Sequence, residues 1–176
     1  MIIDIHEATE ADLGDLLHLY RQLGEDDGEV LDLGEAQRIF RRIQSYPDYH
    51  LYLARDMEGR AVGTFALLIM DNLGHRGARS AVIEDVVVAA DCRGCGVGSE
   101  MMAFAATLCR AGGCYKITLS SNHKRVRAHR FYEELGFARH GYSFLLNLPG
   151  EQPESPFRRS RPAGPEHITE YPGDRP

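Results

Sequence analysis

At 176 residues, with 43% hydrophobic and 26% charged side chains, the chain has the size and balance of one globular domain with a real core. Its net charge of −6 argues against nucleic acid as the main partner, because phosphate neutralisation needs a basic surface. No apolar run approaches the roughly 20 residues that span a bilayer, and the opening MIIDIHEATEAD lacks a basic segment followed by an apolar block, so no membrane partner and a cytoplasmic location are expected.

Ile2, Ile3 and Ile5 predict a short first strand. Thr9, with Asp12 three residues on, signals a helix start, and Leu13, Leu16, Leu17 and Tyr20 then fall on one helical face before Gly24. After the acidic stretch GEDDGEV, Asp32 and Glu35 open a second helix bearing Ala36, Ile39, Phe40 and Ile43, which ends before Pro47. These two helices are placed to flank a substrate cleft. Residues 49–54 and 60–70 read as a hairpin turning at Asp56-Met57-Glu58-Gly59, residues 71–80 as a polar glycine-rich loop, and 81–88 as a strand. A helix over 97–111 stops at Gly112-Gly113; a strand over 115–120, a helix over 125–135 with Ala128, Phe131 and Leu135 inward, and a last strand over 142–148 follow. Seven of the eight prolines lie from Pro149 onward, which predicts a domain over 1–148 and an extended, proline-rich tail over 149–176.

The most informative stretch is Val82 to Ser99, VIEDVVVAADCRGCGVGS. Glycines at 94, 96 and 98 let the backbone turn with its N–H groups outward, and a helix starting there adds unpaired donors and a positive dipole end, so the place suits phosphate oxygens. A structural turn is the competing reading of these glycines. Alternating glycines do not make the G-x-G-x-x-G of a dinucleotide fold, and Val97-Gly98-Ser99 is not the Gly-Lys-Ser/Thr of a P-loop. The spacing of Cys92 and Cys95, then Cys109 and Cys114, is superficially that of two metal-ligand pairs. Because the first pair sits within the glycine turn and Cys109 near a helix end, small semi-buried thiols in a reducing compartment are expected instead, with no metal.

Glu84 and Asp85 interrupt an apolar strand, and carboxylates buried without partners are costly. Alternation places Glu84 on one face with Val82, Val86 and Val88, and Asp85 on the other with Ile83 and Val87. A primary amine with a pKa near 10 is only about one part in a thousand neutral at pH 7, so transfer to such an amine gains from a base. Glu84, directly or through water, is the first candidate and Asp85 the second. Water acting alone stays open, as does a structural role for the carboxylates in bridging to basic neighbours.

The order β, α, α, β, β, β, glycine loop, α, β, α, β resembles the GNAT superfamily of acetyl-CoA-dependent N-acetyltransferases over residues 2–148. VIEDVVVAADCRGCGVGS and AHRFYEELGF carry the resemblance. It implies an α/β fold: a mixed, mostly antiparallel sheet of roughly six to seven strands with about four helices, splayed at the fourth strand. It also implies that the loop R-x-x-G-x-G, here Arg93, Gly94, Cys95, Gly96, Val97, Gly98 and the following Ser99, grips the pyrophosphate of acetyl-CoA. The backbone of Val86, Val87 and Val88 would pair with the pantetheine arm, with an N–H at Val86 or Val87 stabilising the oxyanion. Tyr132 matches the tyrosine that lies near the coenzyme sulfur and protonates the leaving thiolate, its competing role being aromatic packing. Asn122 lies three residues before the place of the family's asparagine, which Arg125 fills, and is a weaker coenzyme ligand.

Together these imply direct attack of a primary amine in a ternary complex, without an acetyl-enzyme. Locally, SSNHKRVRAHRFYEELGF is similar to aminoalkylphosphonate N-acetyltransferases, and IEDVVV and GCYK to glucosamine-6-phosphate N-acetyltransferases. A small-molecule amine is therefore the expected acceptor, with Tyr20, His75, Arg76 and Glu84 as acceptor-side candidates and a homodimer as a state common in the family. The basic run Lys124 to Arg130 reads as a solvated helix face or as an attractant for phosphates. Protein, peptide or aminoglycoside acceptors, a non-catalytic acyl-CoA-binding regulatory module, and a tail that recruits a partner remain alternatives at this level.

Overall fold

A computed structural model describes residues 2–23, 28–144 and 146. The chain divides into two units, Met1–His140 and Gly141–Pro176. In the second, residues 142–144 form no strand, contrary to the strand expected over 142–148; the rest of that segment except residue 146, and the tail expected over 149–176, lie outside the described residues.

The first unit contains strands β1 (Ile3–Glu7), β2 (Tyr49–Asp56), β3 (Ala61–Met70), β4 (Arg79–Val88) and β5 (Cys114–Leu119), and helices α1 (Leu13–Tyr20), α2 (Leu33–Ile43), α3 (Val97–Ala111) and α4 (Val126–Glu134). The strands lie in chain order in one sheet, antiparallel except for the parallel pair β4–β5. The sheet is thus mixed and mostly antiparallel, as expected. It has five strands among the described residues rather than six or seven.

Local chemistry accounts for the elements. The Thr9 N–H and hydroxyl both donate to Asp12 Oδ2, at 2.9 and 2.8 Å, closing the turn that leads into α1. Asp32 Oδ1 accepts from the Glu35 N–H at 2.9 Å and caps α2. Helix α1 ends at Tyr20, the last residue of its apolar face, and residues 21–23 continue as a turn ahead of Gly24. Val97, Met101, Ala105 and Cys109 give α3 its buried stripe, packed over β3, β4 and β5. Phe65 sits fully buried in β3 with the Tyr52 ring stacked on it at 5.1 Å, and Phe104 of α3 meets Tyr52 edge-on at 5.6 Å. A glycine is required at 63, where a Cβ would lie 2.5 Å from Met101 Sδ and 3.1 Å from the Val87 carbonyl oxygen.

Two irregularities of β4 shape the site. Pairing with β5 runs from Arg79 opposite Cys114 to Ile83 opposite Leu119, while β4 itself continues to Val88. Past Ile83 the two strands therefore splay. On the other side, β3 pairs Thr64 with Val87 and Ala66 with Glu84. Phe65 alone thus faces both Asp85 and Val86, a β-bulge. Asp85 takes up the extra residue with φ of 52°, a left-handed conformation that aspartate tolerates better than most residues.

The bulge corrects the alternation read from the sequence. Thr64 and Ala66 are two apart and share a face of β3, so their partners Val87 and Glu84 share a face of β4. Glu84 thus goes with Val87, not with Val86 and Val88. A period of two cannot survive an inserted residue.

Candidate active site

The residues after β4 form the turn that the glycine pattern predicted. Gly94 and Gly96 both have left-handed backbones, φ 79° and 88°, and a Cβ on either would meet nothing within 4 Å. Gly96 starts α3 without a side-chain cap, leaving the first amides of the helix, from Val97 to Ser99, without helical acceptors. Free helix-start amides next to two left-handed glycines are an arrangement that suits phosphate. Gly98 has a different role: a Cβ there would stand 3.0 Å from Phe131 Cζ and 3.6 Å from Val88 Cγ2. Its bare backbone lets α4 close onto α3. Val97 is buried, so only its backbone faces the turn. Arg93 braces the turn: its Nε–H donates to the Val88 carbonyl at 3.2 Å and a terminal N–H to the Gln22 carbonyl at 3.5 Å, while the Ala90 N–H donates to Gln22 Oε1 at 2.9 Å.

Beyond the turn, the splay between β4 and β5 holds a narrow polar cleft of about 100 Å³. Glu84, Asp85 and Val86 line it from β4, Ser120 and Ser121 from the end of β5, and Arg125 and Tyr132 from the start and body of α4. Two carboxylates, a guanidinium and a phenol thus converge. Burial pushes the Tyr132 phenol above its usual range, and Arg125 opposes this, so Tyr132 holds its proton through neutral pH. Ser121 Oγ is shielded from solvent and has no hydrogen-bond partner among the described residues, an unsatisfied group of the sort that a bound ligand or water completes.

Adjoining it at Leu23 and Asp85 is a wider cleft of about 580 Å³, walled by α1 and α2, with Leu51 and Asp85 from the sheet. This is the cleft expected between the first two helices. Tyr20 reaches into it. Burial and then the Asp85 charge drive the Tyr20 phenol far above its usual range. Tyr49 is raised by burial and by the charges of Asp85 and Glu84, so both phenols lie in the field of the bulge carboxylates. Asp85 lines both clefts.

The structure brings together Glu84, Val86 and Tyr132 around the polar cleft, and places Arg93 to Ser99 at the glycine turn. It does not bring His75 and Arg76 to them. His75 lies against Tyr115, ring centroids 4.5 Å apart, at the start of β5, beside Arg79 at the start of β4. Glu84 is five residues further along β4, roughly 17 Å away at strand spacing. Asn122 Oδ1 accepts from the Lys124 N–H at 3.0 Å, and its carbonyl accepts from the Arg125 N–H at 2.9 Å; it shapes the entry to α4. The sequence reading missed Ser121, whose only signal was position just after a strand that ends beside the splay, and noted Arg125 only as filling the family's asparagine place and as part of the basic run, not as lining this cleft. The four cysteines are free, and among the described residues no cluster of His, Cys, Asp and Glu forms a metal-binding group. No helix among them is long and apolar enough to cross a membrane.

Residues 14–137 match the acetyltransferase (GNAT) family. The chain belongs to the GNAT acetyltransferase family. It is 38% identical over 90 residues to the glucosamine 6-phosphate N-acetyltransferase of Trypanosoma brucei brucei, a match covering 51% of this chain and 59% of that protein. It is 34% identical over 147 residues to the aminoalkylphosphonate N-acetyltransferase of Salmonella typhimurium, covering 84% and 92%. Among solved structures, a Trypanosoma brucei acetyltransferase superposes with a TM-score of 0.72 at 29% identity, over 84% of this chain and all of that one. The enzyme class expected from the sequence, an N-acetyltransferase of this fold, is thereby met. GNAT enzymes use acetyl-CoA as co-substrate, and an uncapped helix start beside two unobstructed left-handed glycines suits its pyrophosphate.

Proposed function

We propose that this GNAT enzyme transfers acetyl from acetyl-CoA to the primary amine of a small-molecule acceptor, by direct attack with both substrates bound. The observation that carries the reading is that Glu84 and Tyr132 line one splay, where β4 runs on past its pairing with β5, next to the glycine turn. Acetyl-CoA supplies an activated thioester. The amides at the start of α3, from Val97 to Ser99, bind its phosphates, with Gly94 and Gly96 letting the backbone approach them. The β4 backbone from Val86 to Val88 has β3 on one side and the splay on the other, so it can pair with an extended arm as a further strand would. An N–H of Val86 or Val87 then faces the negative charge that develops at the carbonyl oxygen.

Glu84 takes the proton of the incoming ammonium, directly or through a water in the cleft, because almost no amine is neutral at pH 7 without such help. Tyr132, protonated at neutral pH, donates to the departing sulfur. Arg125 beside it keeps the cleft from being wholly anionic. The acceptor enters from the α1–α2 side, where Asp85 and Tyr20 face it.

The test is steady-state transfer to a panel of amines at neutral pH, read as coenzyme A release. Glu84→Gln and Tyr132→Phe are each expected to lower kcat by roughly 10²-fold, as loss of a positioned acid or base does. Wild-type kcat in both variants, or coenzyme A binding with turnover of no amine, defeats the reading.

A further inference from the structure

We infer that the acceptor cleft selects primary amines carrying an apolar alkyl or arylalkyl group and rejects amines carrying phosphate or phosphonate. This rests on the proposal that the chain acetylates amines, and it departs from the phosphorus-bearing acceptors in the relatives' names. The argument is the composition of the walls. The cleft between α1 and α2 holds about 580 Å³, the size of a small-molecule site. Most of its wall is carbon, contributed by side chains such as Leu13, Leu17, Ile39, Phe40 and Leu51. Its ionisable lining residues are Glu29, Asp32, Glu35, Asp85 and the phenol of Tyr20, and the described lining contains no Lys, Arg or His. Glu35 has an ion pair with Arg38 at 3.1 Å, but Arg38 is not part of the lining.

A dianionic headgroup needs several charge-assisted donors to repay its desolvation. Across both clefts the described lining offers one cation, Arg125, and it shares the narrow cleft with Glu84 and Asp85. The balance of charge is therefore negative throughout the acceptor's path. An alkylammonium ion meets the opposite conditions. Its head comes to Asp85, the one charged residue that lines both clefts, and is delivered there beside Glu84; its carbon chain remains between α1 and α2. Tyr20 and Tyr49 flank the carboxylate, and burial and neighbouring negative charge keep both phenols protonated. Being neutral, they add no further charge beside it.

The experiment measures kcat/KM of the full chain with acetyl-CoA for n-propylamine, n-hexylamine, 2-phenylethylamine, 2-aminoethylphosphonate and glucosamine 6-phosphate. Hexylamine and phenylethylamine should each exceed both phosphorus compounds by at least about tenfold, and hexylamine should exceed propylamine by a similar factor, as added methylenes in an apolar pocket do. Asp85→Asn, which keeps a residue tolerant of the left-handed backbone, should lower the hexylamine value about tenfold or more. Ile39→Arg should shift the ratio toward 2-aminoethylphosphonate. Preference for either phosphorus compound overturns the inference and leaves acetyl transfer standing. If no amine turns over, acetyl transfer fails, and calorimetric titration of hexylamine then decides the ligand class: binding that Asp85→Asn weakens supports it, and no binding overturns it.

Discussion

The cleft between α1 and α2 is wide and walled mostly by carbon, while the one in the splay between β4 and β5 is narrow and walled by serine, arginine and carboxylates. They meet at Leu23 and at Asp85, and Asp85 belongs to the bulge that adds one residue to β4. The bulge at Asp85 and Val86 puts two adjacent carboxylates to different uses: Glu84 lines the polar cleft alone, and Asp85 lines both. In the proposed reading, chemistry and selection thus fall to neighbouring residues, without a second strand or loop to carry them.

Removing that residue breaks the contrast outright. Deletion of Asp85 restores regular pairing with β3 and turns Glu84 relative to the valines that follow it; transfer should fall by roughly 10²-fold or more, with the far-ultraviolet circular dichroism of the sheet kept. Next in size is the wall of the wide cleft. Phe40→Ala removes a buried ring of α2 and should cost about 3 kcal/mol in chemical unfolding, the low end of such truncations because the site already adjoins open space. It should raise the acceptor KM more than it changes kcat. If kcat falls and KM does not, the wide cleft has a part in the chemistry and the division between the two is wrong.

The attachment of α1, the other wall, depends on pH. Burial pushes the Asp12 carboxyl up, but the Thr9 N–H, the Arg55 guanidinium and the Thr9 hydroxyl outweigh it and hold it at about 2, with Arg55 bonded to Asp12 at 2.6 Å and Asp15 at 2.7 Å. A carboxyl lowered on folding adds stability above its unfolded pKa, near 4, and loses it as pH falls from there through 2. Asp12→Asn should therefore lower stability by about 2 kcal/mol at neutral pH and flatten the acid limb of the stability curve below pH 4. The smallest effect belongs to the polar side. Gly98→Ala presses on Phe131 and should cost about 1 kcal/mol, weakening coenzyme A binding severalfold while leaving the acceptor KM unchanged.

Much of this architecture was legible in the residues. The helix over 97–111 has the bounds its glycines and apolar stripe indicated. Asp32 with Glu35, and Thr9 with Asp12, signalled the two helix entries through short-range bonds that need no tertiary context. The bulge was not legible, because it is a relation between β4 and β3: nothing in IEDVVV says that Phe65 will face two residues. Ser121 and Arg125 as residues lining the cleft were missed for a similar reason. Their place in the site comes from the end of the β4–β5 pairing at Ile83 and Leu119, which is a property of the sheet. Leu135, read as inward-facing, is exposed, since α4 lies against α3 mainly through Phe131 and Gly98.

The splay has a further consequence. A strand in the interior of a sheet ordinarily has a strand on both sides, yet β4 beyond Ile83 lacks β5 along half its length and turns an edge to the splay. Such an edge invites strand addition by another chain and so self-association. The defences that proteins use on exposed edges are a bulge and charged side chains, and here they are Asp85, Val86 and the carboxylates at 84 and 85. The residues that serve acetyl transfer would thus also keep the protein from polymerising through its own active site, and mutants that neutralise both charges should be watched for aggregation as well as for lost activity.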